Sequence, residues 1–184
     1  EVLRETPQGR DYGHLLENYR PVPLLLDSGG QVLSLPPIVN SEETRVSEGA
    51  RNLFIDVTGL TPEVTQQILS IVATSLKERG GEIEGVEVRH PELGSQVTPD
   101  LRNGVRAMSL DFARGMIGVE LSEKEAEELL LRARLTSRPR GGALEVETPP
   151  YRADLLHEVD LVEELAVFYG YSRIEPEVPR VATL

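Results

Sequence analysis

Residues 149–171, PPYRADLLHEVDLVEELAVFYGY, constrain this chain most. They predict a helix from about 156 to 169 with Gly170 as its stop. On that helix Asp160, Glu163 and Glu164 stand at i, i+3 and i+4, which puts three carboxylates on one face. Asp154 lies six residues earlier, at the mouth of the helix. The chain holds no Cys and three scattered His, so thiolate chemistry is excluded and four acidic oxygen donors suit a hard cation such as Mg²⁺ better than Zn²⁺. By residue pattern alone, however, an acidic helix face is more often simply solvated.

The rest of the composition narrows the class. Aromatics make up 4% of the 184 residues and Trp is absent, so the core must be built from Leu, Val, Ile and Ala. The absence of Cys leaves no disulfide and fits a reducing compartment. The net charge of −12 is spread over both halves, which argues against a free-standing nucleic-acid binder, because phosphate contacts need clustered Lys and Arg. No apolar run approaches the length of a membrane span, and no signal-peptide pattern opens the chain. A first residue of Glu rather than Met reads as a piece of something longer.

Along the chain, residues 7–19 have a short helical look. Two apolar runs, 24–26 and 31–35, flank Asp27-Ser28-Gly29-Gly30 and predict a hairpin, with Pro36-Pro37 ending its second strand. Residues 40–51 read as a loop, and 52–58 (NLFIDVT) as a strand bounded by Gly59. Thr61-Pro62-Glu63 starts a helix whose apolar positions 64, 68, 71, 72 and 76 keep helical spacing until Gly80-Gly81. Residues 83–88 read as another strand, and the order strand, helix, strand predicts an α/β layer. Residues 91–100 read as a turn-rich junction and mark a domain boundary. After it come a strand at 105–110, a short helix at 111–117 closed by Gly118, and a capping box at Ser122–Glu125 with Leu121 stapled onto Ala126. A turn is expected at 138–142 and a strand at 143–148, then the acidic helix.

Two stretches over 100 residues apart carry a family likeness: LSLPPIVNSEETRVSEGARNLFIDVTG at 33–59 and TPPYRADLLHEVDLVEELAVFYGYSRIEP at 148–176. Both resemble the β subunit of phenylalanyl-tRNA synthetase in its archaeal and eukaryotic form, as do TPDLRNGVRAMSL and GVELSEKEAEELLLRAR between them. The resemblance implies an α/β (α+β) fold: residues 1–94 as the C-terminal part of the B3/B4 editing domain, 95–174 as the winged-helix-like B5 domain, and 175–184 as a linker toward a catalytic-like domain. The N-terminal half of B3/B4 would lie outside this chain.

The resemblance also implies sites. The family's Asp, Asp, Glu, Glu set, which holds Mg²⁺, falls on Asp154, Asp160, Glu163 and Glu164. Its editing pocket falls on Leu25, Ser34, Asn40, Asp56 and Thr58, with Leu25 and Asn40 the weaker assignments. Asp56 and Thr58 are two apart on the expected strand and so share a side, although periodicity alone would read them as a solvated face. No Ser-His-Asp arrangement offers a nucleophile. His14, His90 and His157 are scattered, so no catalytic side chain is assigned and water attack in a shaped pocket is expected.

The implied parent is cytoplasmic and an α₂β₂ tetramer. It charges tRNA(Phe) with phenylalanine using ATP and Mg²⁺, with the synthetic site on the α subunit and proofreading of tyrosyl-tRNA on the β subunit. Two rivals stand beside this: a non-catalytic module that holds α and β together, and a winged-helix nucleic-acid binder.

Overall fold

The structure, a computed structural model, describes residues 2–92 and 94–176. The expected linker at 175–184 lies outside the described residues from 177 onward. The chain divides into two compact units, Glu1–Thr65 and Gln66–Leu184.

In the first unit two short helices, α1 (Val2–Glu5) and α2 (Pro7–Tyr12), precede a 3-10 turn at Gly13–Leu16. The Thr6 hydroxyl accepts the Gly9 amide and starts α2, with Pro7 in the first turn. The expected hairpin forms as β1 (Leu25–Leu26) and β2 (Val32–Leu35), antiparallel. Asp27 makes its turn, its Oδ1 accepting the amides of Gly29 and Gln31, both at 2.8 Å. A third strand, β3 (Val39–Asn40), falls where a loop was expected to begin and completes the order β1-β2-β3.

Residues 52–58 do not form the expected strand. The segment has strand composition but no ladder, because none of its backbone groups meets a partner among the described residues.

Helix α3 (Pro62–Glu78) runs as its spacing predicts. The amides of Gly80 and Gly81 close it on the carbonyls of Lys77 and Leu76. Ala73 and Ser70 are buried, whereas Val64, Ile68, Ile71 and Val72 are exposed. The next strand, β4 (Val86–His90), starts three residues later than expected. It pairs with β5 (Gly94–Thr98), a strand inside the stretch read as a junction. That stretch carries Pro91, Gly94 and Pro99, which masked the Ser95-Gln96-Val97 pairing run between the last two.

The remainder is built around one aliphatic core. Strand β6 (Gly104–Ser109) leads into α4 (Leu110–Ile117), then α5 (Glu123–Arg132), the hairpin β7 (Thr136–Arg140) and β8 (Ala143–Thr148), and α6 (Glu158–Tyr169). The sheet order is β6-β8-β7, all antiparallel. Residues 136–140, expected in part as a turn, are strand up to Gly141-Gly142.

β8 alternates as a half-buried strand must: Leu144, Val146 and Thr148 point inward, while Glu145 and Glu147 lie between them. Met108, Leu130, Leu135, Leu144, Leu161 and Leu165 are completely buried in this core. Gly104 is required by a close approach, since a Cβ there would stand 2.8 Å from Thr148 Oγ1. Gly118 ends α4 in the left-handed conformation at φ 74°. The capping box opens α5 as expected: Ser122 Oγ accepts the Glu125 amide and Glu125 Oε2 accepts the Ser122 amide. Leu121 and Ala126 are both buried beside it.

Candidate functional site

The three short strands of the first unit place Leu25 opposite Ser34, and Ser34 opposite Asn40, in one row across the sheet. The tight turn from Leu35 to Val39, closed by the Ile38 amide on the Leu35 carbonyl at 2.7 Å, folds an apolar wall over this row. Ser34, Asn40, Asp56 and Thr58 then line one hollow of about 400 Å³, with Pro36, Pro37 and Ile38 among its other walls. Leu25 reaches this place only as the strand neighbour of Ser34. The wall residues were missed in the sequence because Pro36-Pro37 reads as a strand end and nothing more.

Ser34 is 5% exposed, and its Oγ has no hydrogen-bond partner among the described residues. A buried hydroxyl without a partner carries a cost of about 1–3 kcal/mol that a polar ligand atom would relieve. Asp56 and Thr58 stand exposed at the rim. The hollow thus joins an apolar wall to a small number of polar groups.

The acidic set is arranged differently from the expectation. Arg152, which the sequence offers with Tyr151 only as a packing feature, lies between two of its members. Its Nη2 donates to Asp154 Oδ2 and to Glu164 Oε1, both at 2.6 Å, and its Nε adds a second bond to Asp154 at 2.9 Å. The arginine and Glu164 are largely buried, with side chains 20% and 17% exposed. The Arg152 guanidinium holds the Asp154 carboxyl below its ordinary value, and Asp154, followed by Glu164, holds Arg152 in its charged form.

Asp160 turns back to the start of its own helix, where Oδ2 accepts the amides of His157 at 2.6 Å and Leu156 at 2.7 Å. Those two amides, the His157 one first, keep its carboxyl ionised below the usual range. Glu163 is exposed.

Among the described residues no three acidic or His side chains converge as a metal site. Asp154, Asp160, Glu163 and Glu164 therefore do not fit Mg²⁺ in this arrangement. The reason is that a guanidinium already neutralises two of them and helix-start amides satisfy a third. The signal was present as an Arg two residues before Asp154, but its reach to Glu164, twelve residues on, is not a local property.

Glu158 Oε1 accepts the Ser109 amide at 2.6 Å and ties the start of α6 to the start of α4. On the hairpin, Arg138 pairs with Glu147 at 2.9 Å and Arg140 pairs with Glu145. No described helix is long and apolar enough to cross a membrane.

Comparison with known proteins places this geometry. Residues 106–171 match the tRNA synthetase B5 domain family. Over 183 residues, and 100% of its length, the chain is 42% identical to the phenylalanine–tRNA ligase β subunit of Archaeoglobus fulgidus, of which it covers 33%. It is 40% identical to that of Thermococcus kodakarensis over 99% of its length, covering 32% of that protein. A solved N-terminal fragment of the phenylalanyl-tRNA synthetase β subunit from Pyrococcus horikoshii matches 92% of this chain and 49% of its own, at 39% identity and a TM-score of 0.88. The chain thus spans about a third of the length of these curated relatives.

Proposed function

Because this chain belongs to the family of phenylalanyl-tRNA synthetase β subunits, we propose that it supplies the proofreading pocket of such a ligase, with its B5 portion serving subunit assembly. The carrying observation is the buried, partnerless Ser34 hydroxyl beside Asn40, Asp56 and Thr58 in one hollow. Tyrosine differs from phenylalanine by one hydroxyl, and a hydrophobic synthetic site rejects such an isostere only on the order of 100-fold. A second site built to bond that hydroxyl corrects the error. A tyrosyl group satisfies the polar side of the hollow, while a phenylalanyl group leaves those groups desolvated and unpaired and is released.

Hydrolysis of the tyrosyl ester is assigned to a water molecule, because no His lines the hollow to activate Ser34 or Thr58 as a nucleophile. Ser34 and Asn40 recognise the side chain; Asp56 and Thr58 at the rim hold the hydroxyl or place the water. Leu25 supports Ser34 from the neighbouring strand.

The wider reading follows the relatives. The parent is a cytoplasmic α₂β₂ ligase joining phenylalanine to tRNA(Phe) with ATP and Mg²⁺ on its α subunit, residues 1–94 belong to B3/B4, and residues 95–174 are B5. Assembly on the α subunit is the role assigned to the B5 portion, which leaves Met116, Leu131 and Leu156 exposed. The nucleic-acid rival loses support, since the hairpin arginines that would meet phosphate are each paired with a glutamate.

The test uses the assembled ligase carrying this sequence in its β subunit. Ser34→Ala, Asp56→Ala and Thr58→Ala are each expected to slow hydrolysis of tyrosyl-tRNA(Phe) by about 10-fold or more, with phenylalanine charging unchanged. Undiminished hydrolysis in all three variants overturns the proposal.

A further inference from the structure

Strands β2 and β3 pair Ser34 with Asn40 and Leu35 with Val39. So short a ladder contributes little order by itself. A slip of β3 by one residue would turn Asn40 away from the face it shares with Ser34. The tight turn holds the pairing at one end, through the Ile38 amide on the Leu35 carbonyl. A second device holds the other end. The Leu33 carbonyl accepts the Ser41 amide at 2.9 Å and the Thr44 hydroxyl at 3.2 Å. The same hydroxyl lies 3.1 Å from the Ser41 carbonyl, so its one proton is shared between the two strand ends.

We infer that Thr44 is a positioning residue for the hollow: its hydroxyl clamps Ser41 to Leu33 and so keeps Asn40 in register beside the Ser34 hydroxyl. The inference rests on the reading of the hollow as a proofreading pocket. Thr44 is exposed and lines no part of the hollow. It acts instead through Leu33 and Ser41, the chain neighbours of Ser34 and Asn40. The 3-10 turn Glu42–Thr44 makes this reach local. Its Thr44 amide donates to the Ser41 carbonyl at 3.3 Å, and the side chain then turns back to Leu33, eleven residues earlier.

The clamp weighs more on hydrolysis than on folding. An exposed hydrogen bond adds little net stability. Misplacing a site group by about 1 Å, in contrast, can cost on the order of 100-fold in rate. The donor is the part of Thr44 that matters. Valine keeps the shape of the side chain and loses the proton, whereas serine keeps the proton and loses the methyl group.

The test uses the assembled ligase carrying this sequence in its β subunit. Thr44→Val is expected to lower kcat for tyrosyl-tRNA(Phe) hydrolysis by about 10-fold, with phenylalanine charging and melting temperature unchanged. Thr44→Ser is expected to restore hydrolysis to within about 2-fold of the parent. Parental hydrolysis by Thr44→Val, beside slowed hydrolysis by Ser34→Ala, overturns the clamp and leaves the reading of the hollow standing. Parental hydrolysis by Ser34→Ala, Asp56→Ala and Thr58→Ala overturns that reading and the clamp with it. Equal loss in Thr44→Val and Thr44→Ser shows that the donor is not what matters and overturns the inference. A loss that tracks a fall in melting temperature assigns Thr44 to folding and overturns it as well.

Discussion

Arg152 donates to the Glu164 carboxylate at 2.6 Å across twelve residues of chain, and so bolts the segment before α6 onto the middle of that helix. Both side chains are mostly out of water. Truncating one partner of such a pair leaves the other charge desolvated, a larger loss than the pair's own net worth. Arg152→Met is expected to destabilise the fold by about 2–3 kcal/mol, read as a lower denaturant midpoint with unchanged m-value. Glu164→Gln, which keeps a neutral acceptor, is expected to cost less. Equal stability of Arg152→Met and the parent chain would show the bridge to be ornamental.

The same bridge sets the response to divalent cations. With Arg152 seated on Asp154 and Glu164, and Asp160 held by backbone amides, Mg²⁺ added to this chain is expected to leave its melting temperature where a monovalent salt of equal ionic strength leaves it. A rise specific to Mg²⁺ that Asp154→Asn abolishes would contradict this.

Acid should weaken the fold through these carboxyls. Asp154 and Asp160 are both held below the ordinary Asp value of 3.8, the first by Arg152 and the second by the His157 and Leu156 amides. A lowered folded-state value means that the ionised form belongs to the folded protein. The stability it contributes is complete above the unfolded value and is lost as pH falls through the lower folded one. Unfolding free energy measured in urea is therefore expected to fall from about pH 5 downward, and Asp154→Asn with Asp160→Asn is expected to flatten that fall. Some slope remains in the double variant, because Arg102 holds Asp100 at about 2. An unchanged acid slope in that variant would remove these two groups from the account.

Cap and core should differ in size. Ser122→Ala removes the hydroxyl that accepts the Glu125 amide and is expected to cost about 1 kcal/mol. Leu130→Ala, at a completely buried position, opens a cavity and is expected to cost about 2–5 kcal/mol. Thermal or chemical denaturation of the two variants side by side checks the ranking.

Much of the fold could be read locally. The Ser122–Glu125 box, the Gly118 stop and the spacing from Val64 to Leu76 each act within one or two turns of chain, and each forms where it was expected. The misreadings fall where pairing is remote. β3 and β5 are short strands hidden in loop-like composition, visible only once Ser34 meets Asn40 and Val88 meets Gln96. Residues 52–58 show the converse, strand residues without a strand, because a ladder needs a second backbone and composition supplies only one side of it.

The candidate sites divide in the same way. Family likeness pointed to Ser34, Asn40, Asp56 and Thr58, and they do line one hollow, but the burial of the Ser34 hydroxyl without a partner depends on how the Leu35–Val39 turn closes above it. The sequence by itself determined where helices start and stop and which carboxylates share a face of α6, since capping and periodicity are matters of neighbouring residues. Only the tertiary structure decided what those carboxylates face. A guanidinium placed by the chain entering α6 reached Asp154 and Glu164, and charge pairing depends on distance through space rather than spacing along the chain.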